Sequence, residues 1–210
     1  MKTYYLTIPQ QKVPDGLKLT SYQNPGDSPI LNYGATRFPI VAVIANTVEK
    51  GEKIRIFGIK PQNPNTDFWL GKLTEELDNL KAEKQFEYEL KLIETPDSEL
   101  VGDHLQLFGK LTDTAKNRVR IYADVTFGSK PIPMIMLMFT NFAYRYKENV
   151  DVEAIVYGSF NHDTNISALY DVTALFYMNS TVNQLGSVSD PKKVLNLLLA
   201  LDDTGGDGNE

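Results

Sequence analysis

Arg118-Val119-Arg120-Ile121-Tyr122-Ala123-Asp124-Val125-Thr126-Phe127-Gly128-Ser129-Lys130-Pro131 reads as a strand that stops at Asp-x-Thr-x-Gly and restarts as a helix. Its first six residues alternate in the manner of a strand. Beyond them Ile135, Met138, Phe139, Phe142 and Tyr146 recur every three or four positions, the period of an amphipathic helix. Gly128 allows a close approach of backbone to ligand, or a positive φ. Thr126 and Ser129 contribute hydroxyls, Lys130 a charge, and the helix start after Pro131 the positive end of its dipole. Together these favour a phosphate. Ligands of open α/β sheets sit at the carboxyl ends of strands, where this turn falls. The plain alternative is a tight turn with a solvated lysine.

Working outward, Met1 to Ile8 reads as a first strand. Pro9 to Asn32 is rich in Pro, Gly, Gln and Ser, a loop or β-excursion longer than usual connections. Phe38 to Val48 is an apolar helix with Pro39 in its first turn, and Lys53 to Ile59 a strand. A helix capped by Asn65 or Thr66 carries Leu70, Leu73, Leu77 and Leu80. Phe86 to Ile93 is a strand, and Pro96-Asp97-Ser98-Glu99 opens a helix bearing Leu100, Val101, Leu107, Phe108 and Leu111. Asp151 to Tyr157 and Ser167 to Tyr177 read as two further strands, and Asn179 as the start of a helix pausing at Gly186. Strands alternating with helices imply βαβ units. The expected fold is α/β and Rossmann-like, a mainly parallel sheet with helices on both faces and an antiparallel hairpin at one edge. The expected organisation is a ligand-binding domain over 1–185, a linker or dimer helix over 186–201, and a disordered acidic tail over 202–210.

The 210 residues suit one domain with an ample core. Net charge of −6 argues against a broad basic face for duplex DNA, and leaves room for one focused basic pocket. The absence of cysteine excludes a disulfide scaffold and thiolate metal sites and fits a reducing cytoplasm. No apolar run approaches the roughly 18 residues of a membrane span, and the residues after Met1 do not resemble a signal peptide. No cofactor or metal is expected. Neither Gly-x-Gly-x-x-Gly nor a phosphate-binding Gly-x-x-x-x-Gly-Lys-Ser/Thr loop is present.

Of the two histidines, His104 falls in line with Leu100 and Leu107 on a helix, and His162 in a polar loop. A zinc site or a Ser-His-Asp triad therefore lacks parts. Glu89-Leu90-Lys91 matches the tail of a nuclease pattern, but alternating charge on an exposed strand accounts for it. Asn32-Tyr33-Gly34-Ala35-Thr36-Arg37, before the first helix, combines amide, aromatic, hydroxyl and guanidinium groups. Tyr33 is suited to stack on a base and Arg37 to fork onto a phosphate; a turn plus a surface arginine is the alternative. Asp171-Val172-Thr173 repeats the Asp-x-Thr pattern.

Asp124 to Pro133 with its Met- and Phe-rich helix, then Ala154-Ile-Val-Tyr-Gly158 and Tyr170 to Phe176, resembles a CARF domain, the CRISPR-associated Rossmann-like sensor of type III systems. The resemblance covers roughly residues 1–185 and concentrates in 118–177. It implies a two-fold homodimer binding one cyclic oligoadenylate, tetra- or hexa-adenylate, across its axis at the carboxyl ends of the strands. The family's second ligand loop falls on Asp124, Thr126, Phe127, Gly128, Ser129, Lys130 and Pro131. The first falls on Pro9, Gln10 and Gln11, with Asn32, Tyr33, Thr36 and Arg37 guarding the helix entry. The chain departs from the family here, with more than twenty residues inserted into a loop that is otherwise compact. The resemblance further implies a sensor controlling a fused or partner effector in antiviral defence. A standalone ring nuclease cleaving the ligand without metal, with Thr126, Ser129 and Lys130 in the catalytic role, is the alternative. A regulatory α/β dimer without nucleotide is the third reading.

Overall fold

The computed structural model describes residues 1–14, 16–161 and 166–184, with 190, 192 and 196. The chain divides into two units, Met1–Thr173 and Ala174–Glu210. The first holds a six-stranded sheet: β1 (Lys2–Thr7), β4 (Lys53–Pro61), β5 (Glu87–Thr95), β6 (Arg120–Asp124), β7 (Asp151–Asn161) and β8 (Ile166–Asp171). Their order across the sheet is β5-β4-β1-β6-β7-β8. All neighbours are parallel except β7 and β8, which pair antiparallel from Val156–Asp171 to Asn161–Ile166. The fold is thus the expected one, edge hairpin included.

Order reverses on either side of β1. Pairing of β1 with β4 on one flank and β6 on the other opens a crevice at their carboxyl ends, the topological switch point of doubly wound folds. The alternation of β1 divides the core. Tyr4, Leu6 and Ile8 join α1 (Pro39–Thr47) and α2 (Thr66–Lys84) in one cluster. On the opposite face, the Tyr5 ring packs tilted against Phe139 of α4 (Pro131–Tyr146), and its hydroxyl pairs with Thr114 of α3 (Val101–Thr114). Helices α3 and α4 pack on each other, as do α1 and α2.

α1 is Pro-Ile-Val-Ala-Val-Ile-Ala-Asn-Thr, buried throughout Pro39–Ala45, with proline at its first position and no side-chain cap. The stripe of α4 is Ile132, Ile135, Met136, Phe139 and Ala143, all buried. Met138 and Tyr146, which share its apolar period, are more than half exposed. Between β1 and α1 the long excursion contains two-residue strands, β2 (Thr20–Ser21) and β3 (Ala35–Thr36), paired antiparallel, and a 3-10 turn at Pro29–Leu31.

Four local expectations are corrected. β6 starts at Arg120, because Arg118 takes a left-handed φ of 57°. α2 starts at Thr66, but neither Asn65 nor Thr66 caps it with a side chain. Asn65 Nδ2 donates instead to Gln10 O (3.1 Å), and the Thr66 hydroxyl to Asn63 O (2.8 Å). α3 starts at Val101, after Ser98 Oγ accepts the amide of Leu100, so Leu100 and Val101 stand about 70% exposed. The last strand ends at Asp171, where Asp171 accepts the amide of Thr173 (3.0 Å), a turn that turns the chain into α5 (Thr173–Gln184). The helix expected from Asn179 has therefore already begun. His162, most of the expected linker or dimer helix over 186–201, Gly186 included, and the tail over 202–210 lie outside the described residues. No helix among the described residues is long and apolar enough to cross a membrane.

Candidate ligand cleft at the carboxyl edge of the sheet

A cleft of about 700 Å³ lies over the carboxyl ends of β6 and β7, beside the switch point. Its floor is Thr126 and Phe127 of the β6–α4 loop, with Gly158, Ser159 and Phe160 of β7. Its far wall is the excursion, through Gln11, Lys18, Thr20 and Tyr22, and Arg37 closes one end. The volume is within the range of small-molecule sites, and the lining alternates aromatic rings with hydroxyls and two cationic side chains.

The β6–α4 loop is shaped by three local devices. Gly128 sits at φ 103°, and a Cβ there would meet Thr7 Cγ2 at 3.1 Å and Ile132 Cβ at 3.2 Å, so only glycine fits. Asp124 Oδ1 accepts the Thr126 amide (2.9 Å), closing the turn. Thr126 Oγ1 accepts the Gly158 amide (2.8 Å), tying the loop to β7. Gly158 in turn has no room for a side chain, because a Cβ would lie 2.9 Å from Pro39 Cγ and 3.2 Å from Thr126 Cγ2.

Asp124 is fully buried and lies beneath this floor. Its Oδ2 accepts the amide of Ile40 in the first turn of α1 (3.2 Å). Burial pushes its pKa up to about 6, partly offset by the bonds from Thr126 and Ile40. Burial likewise raises the Tyr22 phenol, with the nearby Asp124 charge adding to the shift.

The excursion is held along its course by single bonds. Gln10 Nε2 donates to Asp97 Oδ1 (2.8 Å), and Trp69 Nε1 donates to Gln11 O (2.8 Å). Gln23 donates to Ser167 O (2.9 Å) and accepts from the Leu169 amide (2.8 Å), adding one parallel bridge to the outer edge of β8. The segment between these anchors is the cleft wall.

The expected site residues thus separate into groups. Thr126, Phe127, Gln11 and Arg37 meet at the cleft. Ser129 and Lys130 stand at the start of α4 outside its lining, Lys130 exposed and without an ion pair among the described residues, and Pro131 opens that helix. Pro9 is buried, and the Gln10 amide is taken up by Asp97. Thr36 and Arg37 converge on one acid, the Thr36 hydroxyl donating to Glu76 Oε2 (2.5 Å) and Arg37 Nη1 to Oε1 (2.9 Å). Asn32 does not guard the entry of α1. Asn46, in the last turn of that helix, donates to Asn32 O (2.8 Å), which places Asn32 at its other end. Lys18, Tyr22 and Phe160 were absent from the sequence reading. The length of the excursion was the one signal pointing to the first two. Among the described residues no three metal-ligating side chains converge.

No protein-family model and no curated protein matches the sequence.

Proposed function

We propose that the cleft binds a cyclic oligoadenylate, tetra- or hexa-adenylate, and that the chain is a CARF-type sensor domain of type III CRISPR antiviral signalling. The observation that carries this reading is the cleft itself, at the carboxyl edge of the sheet and beside its switch point. Tyr22 and Phe160 supply rings, Thr126 and Ser159 hydroxyls, and Lys18 a charge, beside an Arg37 that is paired with Glu76. Base faces stack on such rings, and a polyphosphodiester seeks such cations on an otherwise acidic protein. A second copy of the chain completes the site in this reading. Leu100 just before α3, Val101 and Leu105 within it, and Met134 and Met138 of α4 are 57–71% exposed, an apolar face that a two-fold partner would cover. Lys130 lies one turn from Met134, so the two copies would bring two such lysines to one ligand.

Ligand occupancy then controls a fused or partner effector. The sensor reading is favoured over ring cleavage by the state of Thr126, whose hydroxyl is engaged with Asp124 and the Gly158 amide rather than free to orient an attack. The test is incubation of the purified protein with cyclic tetra- and hexa-adenylate, following binding and products by chromatography. Binding with the ring intact is expected. Linear products would replace the sensor with a ring nuclease, and no binding of either ring would overturn the reading.

A further inference from the structure

We propose that ionised Asp124 is the positioning residue of the cleft, so that acidification weakens ligand binding while it strengthens the fold. The inference rests on the reading that the cleft is the ligand site.

Asp124 touches none of the cleft's open volume, yet its carboxylate joins the pieces that form it. One oxygen holds the Thr126 amide and the other the Ile40 amide, and Thr126 passes the connection on to Gly158. The end of β6, the start of α1 and the outer part of β7 are thereby fixed to one another. A protonated carboxyl keeps one carbonyl acceptor and turns its other oxygen into an O–H donor. That donor would face an amide N–H. Either the Thr126 turn or the start of α1 then loses its partner, and the floor of the cleft is released on that side.

The surroundings leave this carboxylate to titrate on its own. Its register partner on β7 is Val156, and Ile40 and Thr126 carry no titrating group. Tyr22 from the excursion is a neutral phenol that senses the Asp124 charge, and Arg37 is paired with Glu76. Burial without a cation places the transition near pH 6. The folded carboxyl thus holds its proton at a higher pH than the unfolded one. Folding takes up a proton in that window, and stability rises as pH falls through it. A residue that served only the fold would move stability and binding in the same direction. Here they move oppositely.

The experiment measures affinity for cyclic tetra-adenylate between pH 7.5 and 5, beside thermal unfolding and amide exchange of Ile40 and Thr126 in the unliganded protein. One pH unit below its pKa the competent, ionised fraction is about a tenth, so affinity falls about tenfold at pH 5. The melting temperature rises over the same range, and at least one of the two amides loses protection. Asp124→Asn binds weakly at pH 7.5 with no further loss on acidification. Binding that is flat with pH in the wild type overturns the inference and leaves the proposed function standing. Absence of binding at every pH overturns the proposed function and the binding half of this inference. Unchanged protection of Ile40 and Thr126 at pH 5 overturns the positioning half, with or without a ligand.

Discussion

Each end of the sheet buries one charged side chain against the same helix, and the two are treated oppositely. At the amino end Lys2 is 5% exposed, and its Nζ donates to Thr47 O in the last turn of α1 (2.6 Å), to Glu52 (2.7 Å) and to Glu49 (3.3 Å). At the carboxyl end Asp124 is 0% exposed and accepts the Ile40 amide in the first turn of α1. Both satisfy the helix dipole, a cation at its carbonyl end and an anion at its amide end. α1 carries no side-chain cap of its own, so the sheet caps it from β1 and β6. The difference is the counter-ion. Lys2 has two carboxylates, whereas Asp124 has amides and a hydroxyl alone. A charge kept for stability is paired, because burial of an unpaired ion is costly. The unpaired one sits under the cleft, where its cost is offset by the geometry it holds.

The largest expected effect breaks the paired end. Lys2→Met takes its donor from the Thr47 carbonyl and its counter-ion from Glu52, which keeps only the Glu49 amide, and should cost about 3 kcal/mol in urea unfolding. Asp124→Asn should not destabilise the fold at neutral pH. It removes the desolvation cost of a charge while leaving one amide unmatched, and, as in the protonated acid, the first outweighs the second. An equal loss in both variants would show that the two charges play the same structural part.

The pH dependence sharpens the same contrast. Raised from 3.8 to about 6, Asp124 makes the folded protein bind a proton that the unfolded chain releases. Stability should therefore decline by something on the order of 3 kcal/mol as pH rises from about 4 to 6, and this slope should vanish in Asp124→Asn. Guanidinium titrations at several pH values measure it. A slope retained in the variant would assign it to another group.

The parallel order, the helix faces and the edge hairpin were legible in the sequence because each rests on local periodicity. Leu73, Leu77 and Leu80 fall on the buried face of α2, as their spacing demands. The β8–α5 boundary was not legible. Val172, Ala174 and Phe176 alternate as a strand does, and what ends the strand is one bond from Thr173 to the Asp171 carboxylate. The excursion was legible only as a long insertion. Its path depends on contacts such as Gln23 with Ser167 and Leu169, some 145 residues apart, which leave no period to read. Within the site, the sequence placed the Asp-x-Thr-x-Gly turn correctly at the carboxyl edge. It had no means of showing that Asp124 lies under the floor, or that the partner of Arg37 is Glu76, 39 residues on.

Gly158→Ala tests the carboxyl end by crowding rather than by charge. The added methyl lies 2.9 Å from Pro39 Cγ, and the start of α1 and the Thr126 turn both have to move. Overpacking of this kind costs about 1–3 kcal/mol, so a lowered urea midpoint is expected. Gly34 is the control, since a Cβ there meets nothing within 4 Å and Gly34→Ala should leave the midpoint in place.

The smallest expected effect on stability belongs to Lys130→Ala, and it separates the two senses of a charge most cleanly. Lys130 is exposed at the first turn of α4 and makes no ion pair among the described residues. An unpaired surface lysine contributes within about 0.5 kcal/mol to folding, so unfolding should be unchanged. In the proposed dimer each of the two ammonium groups meets a phosphate, a charged hydrogen bond worth about 1.5 kcal/mol, and because the variant loses both, affinity for cyclic tetra-adenylate should fall about a hundredfold. Calorimetry at two salt concentrations reads both parts, because a phosphate contact weakens with salt and its loss reduces that dependence. Unchanged affinity would remove Lys130 from the site and confine the cationic contribution to Lys18 within the cleft.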